Sequence, residues 1–180
     1  MEYVLEAAAR VFRREGFGAT TNRIAREAGL SIGSLYEYFD NKQVLLEALA
    51  RRHVELAEHG ITEAIDRGGS TRELLANLQR AVIASQRFPS QALTLIETES
   101  ALGQQLRRRA DTLREHILAT LSARALASGA RAPALRARAA FGAIAQLTSQ
   151  TMYELDESAA HAALCGYLLE MAVHGMTARD

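Results

Sequence analysis

Apolar residues recur along this chain at helical spacing almost from end to end, and that regularity restricts the fold more than any other feature. In "VLEAAARVF", the residues Val4, Leu5, Ala8, Val11 and Phe12 form a stripe at intervals of three and four. From 104 to 127, Leu106, Ala110, Leu113, Ile117 and Leu121 repeat the pattern. The charged Arg107, Arg108, Asp111, Arg114, Glu115 and Arg124 fall mainly off that line. No segment shows the period-two alternation of β-branched residues that a half-buried strand requires. An all-α fold is expected.

The breaks between helices are legible as well. "REGFGATT" ends the first helix at Gly16 and Gly18, and Thr20 or Thr21 caps the second. "EAGLS" turns at Gly29, and Ser31 is placed to cap the next helix. Asp40 with Gln43 resembles a capping box opening a long helix over roughly 41 to 59. "DRGGS", "RFPS", "ALG", "SGARAP" and "ELDES" then separate about five more helices, for a total of about nine. The predicted division is a first region over 1–45 and a second over 46–180.

A chain of 180 residues is long enough for one large or two small domains with a real core. At 48% apolar and 23% charged it has an ordinary globular composition, and two prolines with no low-complexity tract argue against disorder. No apolar run approaches a membrane span, and no basic stretch leads into an apolar segment at the amino terminus. The single Cys165 excludes an internal disulfide framework and fits a reducing, cytoplasmic setting. Five scattered histidines offer no metal spacing; His53 and His59, six apart, are poorly placed on a helix to share an ion. There is no glycine-rich phosphate loop and no nucleophile motif, so neither an enzyme nor a bound cofactor is expected.

Residues 1 to 40 predict a long helix, a turn, a short helix near 21–28, a three-residue turn and a second short helix near 32–39. Two short helices joined by a tight glycine turn make a helix-turn-helix. Ile24, Ala25 and Ala28 give the first an apolar face; Leu30, Leu35 and Phe39 close the core from the other side. On a wheel of about 100° per residue, Leu35 and Phe39 point inward, and Tyr36 and Tyr38 fall roughly 80° to either side. Gly33, Ser34 and Glu37 face outward. Small outward residues between flanking tyrosines suit a helix entering a DNA major groove; tyrosines covering a core edge with wet hydroxyls would look the same in sequence.

"VLEAAARVFRREGFGATTNRIAREAGLSIGSLYEYFDNKQVLLEAL", residues 4 to 49, resembles the amino-terminal domain of tetracycline-repressor-type (TetR family) transcriptional regulators. The resemblance lies in the ordered set: a first helix ending in "GF", the "ATT" entry, "IAREAGLS" across the turn, "GSLYEYF", then "NKQVLLEAL". It implies that Tyr36, Tyr38 and Lys42 contact the DNA backbone. Thr20 and Thr21 supply hydroxyls or amides to a phosphate, or serve as caps. Base reading falls on Asn22, Ile32, Gly33 and Ser34, with Asn22 suited to adenine and Ile32 to a thymine methyl. Glu37 either accepts from cytosine or keeps phosphates away. Arg23 and Arg26 pair with phosphates or stay solvated. Members of the family usually carry a short basic arm before the first helix, whereas this sequence opens with Met1 and Glu2 inside the helix: either it is trimmed or the minor-groove contact is lacking. Residues 1–52 hold eight Lys+Arg against seven Asp+Glu, so an untrimmed protein would bind with a shallow salt dependence.

Beyond residue 53, two helices near 134–153 and 157–177 mix Ala and Gly with larger Phe141, Ile144, Leu147, Leu164, Leu168 and Met171. Small residues permit close crossing, and two such helices from each of two subunits make a four-helix interface, the family's dimerisation mode. Phe141, Ile144, Leu164, Leu168 and Met171 are the candidate dimer residues. The alternative is a pairing within one chain. The family also holds small-molecule effectors among its central helices. Phe88, Glu97, His116, Gln146, Met152 and Tyr153 are the candidate pocket residues, each of which also reads as an ordinary helix residue. The whole describes a homodimeric repressor of a near-palindromic DNA operator, released when an effector tilts the fourth helix. The rivals are a DNA-binding protein without effector and a helical protein-interaction module.

Overall fold

The computed structural model describes residues 2–85, 101–147 and 159–177, with Phe17, 146–147 and 159–162 described by backbone alone. Among the described residues there are eight α-helices and no strand. They are α1 (Glu2–Glu15), α2 (Thr21–Glu27), α3 (Ile32–Tyr38), α4 (Lys42–Asp66), α5 (Thr71–Ser85), α6 (Ala101–Ala127), α7 (Pro133–Gly142) and α8 (Ala159–Thr177). A 3-10 turn at Gly16–Gly18 follows α1, and a π-helical turn at Ala143–Leu147 extends α7. None of these helices is long and apolar enough to cross a membrane.

The helix ends show how local chemistry sets the boundaries. Thr20 caps α2 by accepting from the Arg23 amide at 3.3 Å, and Ser31 caps α3 by accepting from the Ser34 amide at 3.0 Å. Between them α2 stops in a Schellman turn. Gly29 adopts φ +70°, which suits a residue without Cβ, and the Leu30 amide donates back to the Ala25 carbonyl at 2.9 Å. Ser70 and Glu73 form a reciprocal capping box before α5: the Ser70 amide donates to Glu73 Oε2 at 2.7 Å, and the Glu73 amide to Ser70 Oγ at 3.2 Å. The Ser70 amide first, then the Ser70 hydroxyl donating to the same oxygen at 2.8 Å, holds the Glu73 carboxyl below its ordinary pKa.

Three boundaries differ from expectation. The α4 cap is Asn41, whose Oδ1 accepts from the Val44 amide at 3.0 Å, and not Asp40. Helix α4 runs to Asp66 because nothing near 59 breaks it: Gly60 stays helical beside Ala81, where an added Cβ would come within 3.0 Å of the alanine methyl. "ALG" at 101–103 is the first turn of α6 and not a separator. "RFPS" and "ELDES" lie outside the described residues.

The chain divides into two compact units, residues 1–56 with 85–110 and residues 57–84 with 111–180. Helices α4 and α6 each supply residues to both. The first unit is built on Val4, Leu5, Ala8, Val11 and Phe12 of α1, closed by Ile24, Ala25, Leu35 and Phe39, then by Leu45 and Leu49 of α4 and Leu106 of α6. The second joins Leu74, Leu75 and Leu78 of α5 to Ile117 and Leu121 of α6, Ile144 after α7, and Ala172 and Met176 of α8. Leu49 is completely buried. Truncation to alanine removes its packing and leaves a cavity, so Leu49→Ala is expected to lower unfolding stability by about 2–5 kcal/mol, measured by urea denaturation.

Candidate nucleic-acid interface

Helices α2 and α3 carry the predicted DNA readers. Leu35 and Phe39 are buried, while Tyr36 and Tyr38 are 44% and 47% exposed. Asn22, Ile32, Gly33 and Glu37 are exposed, and Ser34 is half-buried. Leu35 and Phe39 anchor α3 along one edge, and Gly33, Tyr36, Glu37 and Tyr38 meet solvent as the wheel places them, whereas Ser34, expected outward, is half-buried. Gly33 has no positive φ, and an added Cβ would meet only Ser31 Oγ, at 3.7 Å. Neither backbone strain nor packing within the chain calls for glycine there, although glycine weakens a helix by about 1 kcal/mol against alanine. The room it leaves is on the outside.

The polar side chains of this surface are held in place. Tyr36 Oη lies 3.2 Å from Thr21 Oγ1 at the start of α2. Ser34 Oγ lies 3.0 Å from Ser31 Oγ, so the helix cap also steers the Ser34 hydroxyl. Thr20 is exposed and serves as the α2 cap. Lys42, half-buried at the start of α4, carries its Nζ 5.7 Å from the centroid of the Phe12 ring, which restrains the ammonium through a cation–π contact.

Ion pairs sort the arginines. Arg10 Nε and Arg14 Nη2 both meet Glu27, at 2.8 and 2.7 Å, and Arg23 Nη2 meets Glu15 at 2.8 Å. Arg14 first, then Arg10, holds the Glu27 carboxyl below its ordinary value. A depressed carboxylate stabilises the fold above its unfolded pKa, and that contribution fades as pH falls through the folded one. The pairs are exposed, so each is worth little to stability. Their effect is on charge: Arg23, one of the two arginines offered to phosphates by sequence, is committed to Glu15, whereas Arg26 stands exposed at the last turn of α2.

Two further residues join this surface without being marked by the helix-turn-helix pattern. Tyr3 is half-exposed on the first turn of α1, and partial desolvation followed by a hydrogen bond with Tyr38 raises its phenol above the ordinary tyrosine value. Its one signal in the sequence is an aromatic lying off the α1 apolar stripe. Glu15 gives no signal, because its pairing with Arg23 spans a turn whose geometry sequence spacing does not specify.

Residues 4–49 match the family model "Bacterial regulatory proteins, tetR family". Over these residues the chain is similar to TetR-family regulators. The TetR-type segment comprises α1 to α3 and the start of α4, and the family it matches consists of regulators. An 83-residue stretch is 34% identical to the HTH-type transcriptional repressor AcnR of Corynebacterium diphtheriae, covering 43% of this chain and 40% of that protein. The fold extends well past the TetR-type segment. PfmR, a TetR family transcriptional regulator from Thermus thermophilus, superposes with a TM-score of 0.71 at 19% identity over 96% of this chain and 97% of its own. AibR, solved in complex with isovaleryl coenzyme A and operator DNA, gives 0.71 at 18% over 95% and 97%.

Of the candidate effector residues, only His116 has a described side chain. His116 is exposed on α6. Phe88, Glu97, Met152 and Tyr153 lie outside the described residues, as does the side chain of Gln146. The described residues therefore bring no candidate effector pocket together. Among them, no group of three or more His, Cys, Asp or Glu could hold a metal ion. Of the candidate dimer residues, Ile144 and Leu168 are buried within the single chain, Phe141 and Leu164 are half-buried, and Met171 is 50% exposed. Met171 is joined in exposure by Leu135 at 67% and Tyr167 at 62%. An open groove of about 340 Å³ lies between α7 and α8, lined by Leu135, Ala139, Ala143, Met171 and Gly175.

Proposed function

We propose that this protein is a homodimeric, DNA-binding transcriptional repressor whose operator affinity is set by a small-molecule effector. Residues 1–45 form the DNA-binding part, and 46–180 serve effector binding and dimerisation. One observation carries the reading: α3 exposes an uncluttered surface, flanked by Tyr36 and Tyr38, within a segment matching TetR-family regulators. In this reading Tyr36, Tyr38 and Lys42 grip phosphates while Asn22, Ile32, Gly33 and Ser34 meet base edges. The role is regulatory and not catalytic, and the setting is cytoplasmic.

The dimer is built on the apolar surface of α7 and α8. Leu135, Tyr167 and Met171 form the exposed apolar set, and the groove beside them accepts a side chain of a second copy. Two recognition helices then enter successive major grooves about 34 Å apart. An effector releases the operator by preferring a state with a different helix separation; a preference of a few kcal/mol is enough. Because AibR was solved with an acyl coenzyme A ester and operator DNA, isovaleryl coenzyme A is the first effector to try.

The experiment is enrichment of a randomised duplex pool by the wild-type protein, followed by footprinting. A near-palindromic sequence protected with two-fold symmetry is the expected outcome. Failure to enrich any sequence, or an asymmetric footprint, removes the dimeric-repressor reading.

A further inference from the structure

Tyr36 has a partner on the neighbouring helix, and the chemistry of two hydroxyls gives that partner a direction. The Tyr36 phenol lies 3.2 Å from Oγ1 of Thr21, the first residue of α2. Thr21 is not consumed as the helix cap, because Thr20 does that through the Arg23 amide. Threonine and tyrosine hydroxyls each carry one proton and can also accept. In the free protein either one can donate to the other. Phosphate oxygens only accept. If Tyr36 gives its proton to Thr21, nothing is left on that phenol to donate to a phosphate.

We infer that Thr21 is a positioning residue: it donates to Tyr36 and so turns the single phenolic proton outward, toward the DNA backbone. The inference rests on the DNA-binding reading above and deepens it. A threonine–tyrosine–phosphate chain ends on an anion, so the two hydrogen bonds run in one direction and each polarises the next. Thr21 itself is half-buried whereas Tyr36 is exposed, so the tyrosine is the more open of the two to an approaching phosphate. The contact also ties the two helices of the helix-turn-helix at the point where they would meet DNA. Thr21 therefore acts through Tyr36 instead of reaching a phosphate on its own.

A double-mutant cycle on the duplex enriched by the wild-type protein tests this. Thr21→Val is close in shape and lacks the proton; Thr21→Ser keeps it; Tyr36→Phe removes the phenolic hydroxyl. The expected result is that Thr21→Val and Tyr36→Phe each weaken binding at least tenfold, that the double variant is no weaker than Tyr36→Phe alone, and that Thr21→Ser stays within about twofold of wild type. Unchanged melting temperatures accompany these losses, separating them from damage to the fold. Losses that multiply in the double variant, or wild-type affinity in Thr21→Val, would overturn the inference while leaving the DNA-binding reading intact. Wild-type affinity in Tyr36→Phe would do the same, provided Lys42→Ala still weakens binding. Failure of the wild-type protein to enrich any duplex would remove the reading and the inference together.

Discussion

Replacing Tyr36 and Lys42 together with alanine is expected to weaken operator binding at least a hundredfold while leaving the helical content unchanged. A hydrogen bond to a charged group is worth about 1.5–3 kcal/mol, and two-fold symmetry removes each contact twice. Even the lower figure, taken over four lost contacts, exceeds the roughly 2.7 kcal/mol that a hundredfold change represents. The salt dependence separates the two side chains. Removing one ammonium from each subunit lowers the slope of log affinity against log salt by about 1.8, whereas removing the neutral phenol leaves it alone. Tyr36 is half-exposed, and the cation–π contact that Lys42 makes with Phe12 is worth only about 0.5–1 kcal/mol, so the fold survives both changes. Filter binding across a salt series, with circular dichroism as the folding control, measures both. A double variant that retains wild-type affinity would place the DNA-binding surface elsewhere on the chain.

Leu135→Glu combined with Met171→Glu is expected to convert the proposed dimer into a folded monomer. Both side chains are largely exposed in the single chain, so the substitutions cost the isolated subunit little. In a two-fold interface each glutamate occurs twice, and four carboxylates would have to be desolvated in an apolar surface. Sedimentation equilibrium then reports 19.6 kDa instead of twice that mass. Operator affinity falls as well, since coupling two half-site contacts through one dimer raises avidity by about 10²–10⁴. Retained dimerisation in the double variant would move the interface off α7 and α8. The contrast with Ile144 and Leu168 is informative: these are buried inside the chain, and their truncation is expected to lower subunit stability.

The boundaries of α2 and α3 are readable from sequence to within a residue because their causes are local. A threonine or serine accepts an amide three residues on, a glycine takes positive φ, and the apolar stripe repeats every three or four residues. The α4 cap falls one position from its expected place because Asp40 and Asn41 are both good caps, and only backbone geometry selects between them. The partial exposure of Tyr36 and Tyr38 follows from Leu35 and Phe39 alone, since a short helix with two core residues has its remaining directions fixed by rotation.

Contacts a few residues apart are enough to specify the all-α class and the helix-turn-helix with its anchoring pair. Tertiary structure decided what those residues meet. It paired Arg23 with Glu15 and Arg10 and Arg14 with Glu27, and it set Thr21 against Tyr36. It also decided which apolar side chains of the last helices face inward. Helix α8 is apolar on more than one side, with Leu168, Ala172 and Met176 buried and Tyr167 and Met171 exposed. A helix that is apolar nearly all round has no polar face to mark the outside, so periodicity cannot distinguish its core from its free surface; only the neighbours packed against it make that choice.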